Sequence, residues 1–238
     1  MIDFHSHILP GIDDGSNGIE ETERLLHMEY EQGVEQVVLT PHFYAQKDSV
    51  NHFMEHRRAS FDEVEKLRLT EKWLPNLHIG AEVYYFPGMG NADMLPDLCI
   101  QGTRVLLLEM PFVQWNKEIV EDVRKIIDKQ KLVVVLAHTE RYIGFQKDKS
   151  FFNQVLSYPV YLQFNAGALQ NRKKRHFIKK CIKDGRQIVF GSDSHNTHHR
   201  IPNVEEARKW VKDKFGIGIW NDIDARGKRI LTEYETEA

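Results

Sequence analysis

The stretch Leu132-Val-Val-Val-Leu-Ala-His138 contains six consecutive apolar residues and ends at a histidine. A run this short and this apolar is typical of a strand that is buried on both faces of a parallel sheet. Six other runs have the same character, and the seven together occupy residues 2–4, 37–39, 77–81, 105–108, 132–137, 160–164 and 188–190. Their successive starts lie 27 to 40 residues apart, which leaves room for a returning helix after each strand.

The gaps between these runs carry apolar residues at helical spacing, for example Ile119, Val123 and Ile126 in the fourth gap. Alternating strands and helices predict an α/β fold with parallel strands, and seven such units favour closure into a TIM-like (β/α)7 barrel. An open, doubly wound sheet is the alternative. We expect a single domain over residues 1–238, with 221–238 as a peripheral tail that is acidic and frayed after Leu231.

Composition excludes several classes of protein. The 32 basic and 35 acidic residues give a net charge of -3, so no global basic surface favours nucleic acid or an anionic membrane. The two cysteines, Cys99 and Cys181, are too few for a cysteine zinc cage or a disulfide framework. No apolar stretch is long enough to span a membrane, and the first residues lack the pattern of a signal peptide. We therefore expect a cytoplasmic protein that does not insert into membranes.

Residues that commonly bind metals follow six of the seven predicted strands. They are His5 and His7, His42, Glu82, Glu109, His138, and Asp193 with His195; Asp14 lies in the first loop. Only the sixth strand, which ends at Asn165, lacks one. The carboxyl ends of strands meet at one face of a parallel barrel, so these side chains should converge there.

A single histidine at a strand end is usually structural, but this set of five histidines and four carboxylates predicts a metal centre. Its mixture of nitrogen and oxygen ligands suits Zn, Mn, Fe or Co, and it is too rich in nitrogen for a Ca or Mg cage.

Several motifs resemble the polymerase and histidinol phosphatase (PHP) superfamily. They are His5-Ser-His7, Asp13-Asp14-Gly15-Ser16, Thr40-Pro41-His42, Gly80-Ala81-Glu82, Leu108-Glu109, Ala137-His138-Thr139-Glu140-Arg141-Tyr142 and Gly191-Ser192-Asp193-Ser194-His195. Within that superfamily, the run from His5 to Ser16 and the motif His138-Thr-Glu-Arg-Tyr142 are similar to manganese-dependent bacterial protein-tyrosine phosphatases encoded with capsule and exopolysaccharide genes. The resemblance extends from residue 1 to about residue 220.

The resemblance implies a distorted (β/α)7 barrel that holds three divalent metal ions, with manganese the first choice and Zn, Fe or Co as alternatives. It assigns the ligands to three sets: His5, His7, Glu82 and Asp193; Glu82 again, with Glu109 and His138; and Asp14, His42 and His195. It also implies that the substrate is a phosphotyrosine protein, namely the C-terminal tail of a bacterial tyrosine kinase, and that the enzyme regulates capsular or extracellular polysaccharide synthesis.

Two arginines are candidates for binding the phosphoryl group. Arg141 is three residues after His138, and Arg200 is five residues after His195, so both lie in loops on the active face. A guanidinium can bind two phosphoryl oxygens at any working pH, although a surface ion pair is the ordinary role of such a residue. We predict that Arg141→Ala keeps the metals and loses most of the turnover.

Aromatic residues follow several of the candidate ligands and could form a wall for a phenyl ring: Phe43, Tyr44, Tyr84, Tyr85, Phe86, Phe112 and Trp115. Packing within the loops is an equally good interpretation of these residues. Asn165 could form a hydrogen bond to a metal-bound water, or it could simply cap the end of its strand. The basic run Arg172-Lys-Lys-Arg175 could bind an acidic, tyrosine-rich tail, or it could be the solvated start of a helix.

Three other functions compete with a tyrosine phosphatase. Another PHP phosphoesterase, such as a histidinol-phosphate phosphatase, would share the metal centre. An amidohydrolase also begins with His-x-His, but that class typically has a lysine where this chain has Glu109. A metal-stabilised binding module would recognise a kinase without catalysis.

Overall fold

The structure, a computed structural model, describes residues 1–234 and contains all seven predicted strands. Two of them are each divided in two, which gives nine strands: β1 (Ile2–Ser6), β2 (Gln36–Leu39), β3 (His42–Phe43), β4 (Asn76–Ile79), β5 (Glu82–Tyr84), β6 (Val105–Glu109), β7 (Val133–Leu136), β8 (Tyr161–Asn165) and β9 (Ile188–Gly191).

Seven α-helices connect or follow these strands: α1 (Ile19–Glu31), α2 (Val50–Lys66), α3 (Lys117–Asp128), α4 (Ser150–Ser157), α5 (Arg172–Lys183), α6 (Val204–Phe215) and α7 (Ile217–Glu233). Short 3-10 helices lie at Leu67–Leu69, Met89–Asn91, Leu95–Leu98, Thr139–Phe145 and Ala166–Gln170. Among the residues described, no helix combines the length and the apolar character needed to cross a membrane.

All strand pairs are parallel, as expected, but the strands form two sheets instead of one closed sheet. The first sheet has the order β1-β2-β4, and the second has the order β3-β5-β6-β7-β8-β9. The divisions fall at Thr40-Pro41 and at Gly80-Ala81, where proline removes a backbone donor and glycine packs closely against Ile100. A parallel bridge between Ser6 and Ser194 links the exits of β1 and β9, with backbone hydrogen bonds from His7 N–H to the Ser194 carbonyl and from Asp193 N–H to the His5 carbonyl. The fold is therefore a mixed α/β structure with parallel sheets, and the predicted closure of one seven-stranded sheet is not seen.

The strands are buried on both faces, which explains their continuous apolar sequence. One set of side chains, including Phe4, Leu107 and Val135, forms a core cluster to which strands of both sheets contribute. The alternate set, including Leu106 and Val134, packs in a larger cluster with the helices. Every strand exit then lies at one end of this core, where the candidate ligands begin.

The segment after Asn221 forms most of α7, although the sequence suggests a peripheral tail there. Ile223, Ile230 and Leu231 are buried, and Ile230 and Leu231 pack in the cluster that contains Phe4. Gly227 permits this contact, because a Cβ atom at that position would lie 2.8 Å from Ile2 Cγ2. Residues 232 and 233, where the sequence predicts fraying, are helical, and residues 235–238 lie outside the described part of the chain.

Candidate metal centre

The structure brings all nine predicted ligand residues together at the carboxyl ends of the strands. Their ligand atoms form three groups in which all atoms lie within 4.8 Å of one another: His7, Asp14, His42 and His195; His5, His7 and Asp193; and His42, Glu82 and Glu109. His138 joins them through Nε2, which lies 2.8 Å from Glu82 Oε1 and 3.3 Å from Glu109 Oε1. Residues that are up to 190 positions apart in the sequence therefore share one site.

Glu82 is the centre of this cluster. Its Oε2 lies 3.4 Å from His5 Nε2, 3.3 Å from His7 Nε2 and 2.9 Å from His42 Nδ1. With His138 at Oε1, four imidazoles surround one fully buried carboxylate. A carboxylate in this position could serve as a ligand in more than one cation site.

Several buried atoms of the cluster have no hydrogen-bond partner within the described chain, although they are close to each other. They include both oxygens of Glu82, Nδ1 of His42 and Nε2 of His195. Buried polar atoms are almost always hydrogen-bonded in folded proteins, and leaving them unpaired is costly. Lone pairs that converge without donors are what a set of cations requires, so these residues fit divalent metals.

Hydrogen bonds at the rear nitrogens orient three of the imidazoles. His7 Nδ1 contacts Asp13 Oδ2 at 2.7 Å, His5 Nδ1 contacts Gln163 Oε1 at 3.0 Å, and His195 Nδ1 contacts the Asp193 carbonyl at 3.0 Å. Because each partner is an acceptor, each Nδ1 carries the hydrogen and each Nε2 presents its lone pair to the centre.

The site's electrostatics follow from burial and from these close charges. Burial alone would raise the pKa of Glu82, but neighbouring His5 and His138 hold it well below its ordinary range. Burial alone would lower the pKa of His138, but the charge of Glu82 and a hydrogen bond to Glu109 raise it to about 9. Burial lowers the pKa of His195 to about 3, with the charge of His7 adding to the effect. Cations that bind here must therefore displace protons from some ligands, and their binding should weaken as pH falls.

The three ligand sets that the resemblance implies are each compact in the structure. In the first, Asp193 Oδ1 lies 3.8 Å from His5 Nε2 and 3.5 Å from His7 Nε2. In the third, Asp14 Oδ1 lies 3.5 Å from Nε2 of both His42 and His195. The Asp14 side chain is 67% exposed, so this third set lies at the mouth of the site.

Both candidate arginines lie at the edge of the cluster and contact Asp193. Arg141 Nη2 donates to Oδ2, and Arg200 Nη2 donates to Oδ1 at 2.6 Å. Their side chains are 32% and 39% exposed, so part of each guanidinium faces the opening of the site. Asp193 has a φ of 56°, a left-handed backbone that is uncommon outside glycine and that turns its carboxylate inward.

The sixth strand, which supplies no predicted ligand, supports the ligands of its neighbours. Gln163 Oε1 accepts hydrogen bonds from His5 Nδ1 and from the backbone N–H of His138. Its Nε2 donates to Asn165 Oδ1 at 3.0 Å, and Asn165 Nδ2 donates to Asp193 Oδ2 at 2.7 Å. Sequence reasoning missed Gln163 and the contact of Asp13 with His7. The sequence does contain a signal for Gln163, because it is a polar residue in an otherwise apolar strand. It lies two positions before Asn165 and therefore on the same face of the strand.

The aromatic residues near the ligands divide into two groups. Phe43, Tyr85 and Trp115 are buried, and the Tyr85 hydroxyl donates to Asp122 at 2.9 Å, so these residues pack the loops. Tyr44, Tyr84 and Phe112 are half-buried beside the site. The Tyr44 ring lies 5.2 Å from that of His42 and 5.5 Å from that of Tyr84, and Phe112 stacks on His138 at 5.8 Å. Half-buried Phe86 packs against the core.

Several known proteins are similar to this chain in sequence. Residues 1–231 match the model of the family Capsular polysaccharide synthesis, CpsB/CapC. The chain is 27% identical over 241 residues to the tyrosine-protein phosphatase CpsB of Streptococcus agalactiae serotype V, with 91% of each chain covered.

The fold is similar to those of two solved enzyme structures. One comes from the crystal structures of YwqE from Bacillus subtilis and CpsB from Streptococcus pneumoniae, both metal-dependent tyrosine phosphatases. It has a TM-score of 0.85 and 20% identity, covering 100% of this chain and 96% of that chain. The other is a histidinol phosphate phosphatase from Lactococcus lactis in complex with zinc, L-histidinol and phosphate. It has a TM-score of 0.58 and 14% identity, covering 90% and 93% of the two chains. The fold is thus similar to that of PHP-type enzymes.

Proposed function

The chain belongs to the capsular polysaccharide synthesis family CpsB/CapC, and from this premise we propose that it is a metal-dependent protein-tyrosine phosphatase. It acts as one PHP-type domain, a distorted (β/α)7 barrel, and removes phosphate from tyrosine side chains of a protein. The observation that carries the proposal is the cluster around Glu82, where four imidazoles surround one fully buried carboxylate.

Three divalent cations, manganese first and Zn, Fe or Co as alternatives, fit the three ligand sets. His5, His7, Glu82 and Asp193 would hold one; Glu82, Glu109 and His138 a second; and Asp14, His42 and His195 a third. Such ions, when bound, supply a water of lowered pKa for attack on phosphorus and withdraw charge from the phosphoryl oxygens.

Arg141 and Arg200 bind and orient the phosphoryl group. Both guanidiniums already lie at the rim beside Asp193 and are partly exposed, so either can turn its free N–H groups toward an incoming phosphate. Planar N–H pairs match two phosphoryl oxygens and hold the ester in line for displacement. They also stabilise the negative charge that the phosphoryl oxygens carry through the transition state.

The half-buried rings of Tyr44, Tyr84 and Phe112 receive the phenyl ring of the substrate. Offset or edge contacts between such rings favour an aromatic over an aliphatic ester. A phenolate also leaves without full protonation, so the site needs no strong general acid next to the leaving oxygen.

The physiological substrate in this proposal is the tyrosine-rich C-terminal tail of a bacterial tyrosine kinase, dephosphorylated in the cytoplasm. The family's place in capsular polysaccharide synthesis supports this assignment, as does the tyrosine-protein phosphatase name of the Streptococcus agalactiae relative. Dephosphorylation of the kinase would then regulate polysaccharide production.

Histidinol-phosphate phosphatase is the second candidate, because the Lactococcus lactis enzyme has a related fold. The likeness to the tyrosine phosphatase structures is much greater, at a TM-score of 0.85 against 0.58. The aromatic rings at the rim also suit a phenyl ester better than an alkyl ester.

The deciding experiment measures kcat/KM on four substrates: p-nitrophenyl phosphate, a phosphotyrosine peptide, the matched phosphoserine peptide and histidinol phosphate. We expect turnover of the two aryl phosphates, loss of this turnover with a chelator and its recovery with manganese. Preference for histidinol phosphate would replace the proposal with the second candidate. Equal cleavage of the two peptides would refute the role of the aromatic rings. If the metal-loaded protein cleaved none of the four substrates, it would be a binding module and not an enzyme.

A further inference from the structure

Helix α5 (Arg172–Lys183) has an unusual charge for this protein. Seven of its 12 residues are lysine or arginine and none is acidic, while the whole chain has a net charge of -3. The positive charge is therefore concentrated on one helix, where it makes a local field that the total charge conceals.

The three cations in the first turn of α5 oppose helix stability, whereas Lys180 and Lys183 in the last turn are favourably placed. Helix N-termini favour acidic residues because the backbone dipole is positive there, and α1, α3 and α6 each have an acidic residue in the first turn. The first turn of α5 carries Arg172, Lys173 and Lys174 instead. A sequence that departs from a local stability rule marks a candidate functional segment.

The charges of α5 are also uncompensated. Other helices pair their cations internally, as in Arg58 with Asp62, Arg124 with Asp128 and Lys209 with Glu205. Among residues 1–234, no salt bridge involves any of the seven cations of α5. The helix thus presents free positive charge to whatever approaches it.

A groove of about 700 Å³ runs along this helix and reaches the active site. Lys173, Lys174 and Lys180 line it together with Arg141, and Phe152 and Leu156 of α4 contribute apolar contacts. Glu140 and Asp184 are the acidic residues of its lining. Lys174 also lines an adjoining cavity of about 490 Å³, together with Arg141, Asp193 and Arg200. One lysine therefore belongs to both spaces and connects the basic groove to the phosphoryl-binding arginines.

We infer that this basic groove binds acidic residues that flank the phosphotyrosine, so that the preferred substrate is an acidic peptide segment. The inference rests on the proposed function and specifies its substrate class. The metal centre and the two arginines recognise the phosphoryl group, which every phosphotyrosine shares. The groove supplies recognition of the surrounding chain, through charge attraction and a partly apolar floor.

The length of the groove limits where the acidic residues lie. Lys173 and Lys180 are seven residues apart on a helix, a separation of about 10 Å along its axis. An extended peptide covers about 3.3 Å per residue, so about three substrate residues span that distance. Since Lys174 also lines the active-site cavity, the acidic side chains should act over about three neighbouring positions close to the phosphotyrosine.

The test uses the full chain and two phosphotyrosine peptides of equal length, one with glutamates at those positions and one with glutamines. The double variant Lys173→Glu with Lys180→Glu changes two exposed residues of the groove. The matched control, Arg124→Glu with Lys129→Glu, makes the same charge change on exposed residues of another part of the surface. For each protein, kcat/KM on each peptide is divided by kcat/KM on p-nitrophenyl phosphate.

We expect the unmodified protein to prefer the glutamate peptide about tenfold, through a lower KM. The groove variant should lose this preference and the control should keep it. Raising the salt from about 0.05 M to about 0.5 M should abolish it, because the Debye length falls well below the size of the groove.

Equal turnover of the two peptides by the unmodified protein would overturn the inference and leave the tyrosine phosphatase intact. Failure to cleave either peptide or p-nitrophenyl phosphate would overturn the proposed function instead. Binding to phosphatidylserine vesicles that the groove variant loses, without a peptide preference, would assign α5 to a membrane surface and also overturn the inference.

Discussion

The metal centre and helix α5 are both dense clusters of charged residues, but they are built in opposite ways. The centre is buried and combines carboxylates with imidazoles, as in Glu82 with His5 and His138. Helix α5 carries cations alone, and most of them are exposed. The centre is assembled from strand ends between residues 5 and 195, whereas α5 is 12 consecutive residues.

Because of this difference, the two regions should respond differently to amino-acid substitution. In the buried centre, removal of one partner leaves others desolvated and unpaired, so single substitutions should have large and non-additive effects. On α5, each charge is screened by water and salt, so substitutions should have small and additive effects. The buried centre suits catalysis, which needs fixed geometry. Helix α5 suits selection among peptide sequences.

We expect the largest effect from a substitution of Glu82 in the buried centre. Glu82→Gln removes the charge that four imidazoles share, so we expect loss of bound metal and a fall in turnover of about 10³-fold or more. Metal content and kcat on p-nitrophenyl phosphate measure the two losses. Glu121→Gln, at a half-buried residue of α3 that pairs with Lys117, is the control and should change neither. Full metal content in Glu82→Gln would contradict the central role of this carboxylate.

We expect the next largest effect from a substitution of Arg141, which tests phosphoryl binding without removing a metal ligand. Arg141→Ala should keep the metals and lose about 10²- to 10³-fold in kcat/KM, because a guanidinium that stabilises phosphoryl charge is removed. Arg141→Lys should recover only part of the loss, since lysine cannot form the planar pair of hydrogen bonds. Metal analysis and kinetics on the same preparations make the distinction. Unchanged activity in Arg141→Ala would show that its contact with Asp193 is only a structural ion pair.

A smaller effect concerns the support of the ligands by the sixth strand. Gln163→Met keeps the side-chain length but removes the hydrogen bonds to His5, His138 and Asn165. We expect metal affinity to fall about 10- to 100-fold, as for other residues that orient metal ligands. Competition with a chelator measures this affinity. A lower melting temperature with unchanged affinity would assign Gln163 to packing alone, and Gln154→Met on the exposed side of α4 is the control.

The smallest effect concerns a third arrangement, the buried carboxyl groups of Asp3 and Glu29, which lie against each other. Burial, and then the charge of Asp3, raise the pKa of Glu29 well above its ordinary value of 4.5. The folded state therefore binds a proton that the unfolded state has released, so the free energy of unfolding decreases as pH rises above that value. Glu29→Gln should raise the melting temperature by a few degrees at pH about 8, and by less at pH about 5.

Glu31→Gln, an exposed residue of the same helix, should give no such pH-dependent gain. A gain for Glu29→Gln that is the same at both pH values would contradict the proton uptake.

The sequence predicted much of this molecule because its signals are local. Each strand is a short apolar run, so all seven were found, and each ligand follows a strand end, so the nine candidates meet once parallel strands align. Other features depend on neighbours that no local pattern reveals. The two-sheet arrangement depends on breaks at Pro41 and Gly80, and the packing of α7 depends on the contact of Gly227 with Ile2.

By itself, then, the sequence determined the order of strands and helices, the metal-binding character of the strand exits and the charge of α5. Tertiary structure alone decided that Gln163 and Asn165 support His5 and Asp193, since β8 must lie between β7 and β9 for those contacts to form. It also decided that Lys174 lines both the groove and the active-site cavity. The physical reason is that residue type and spacing fix what a side chain can do, whereas its partners depend on which distant segments the folded core places beside it.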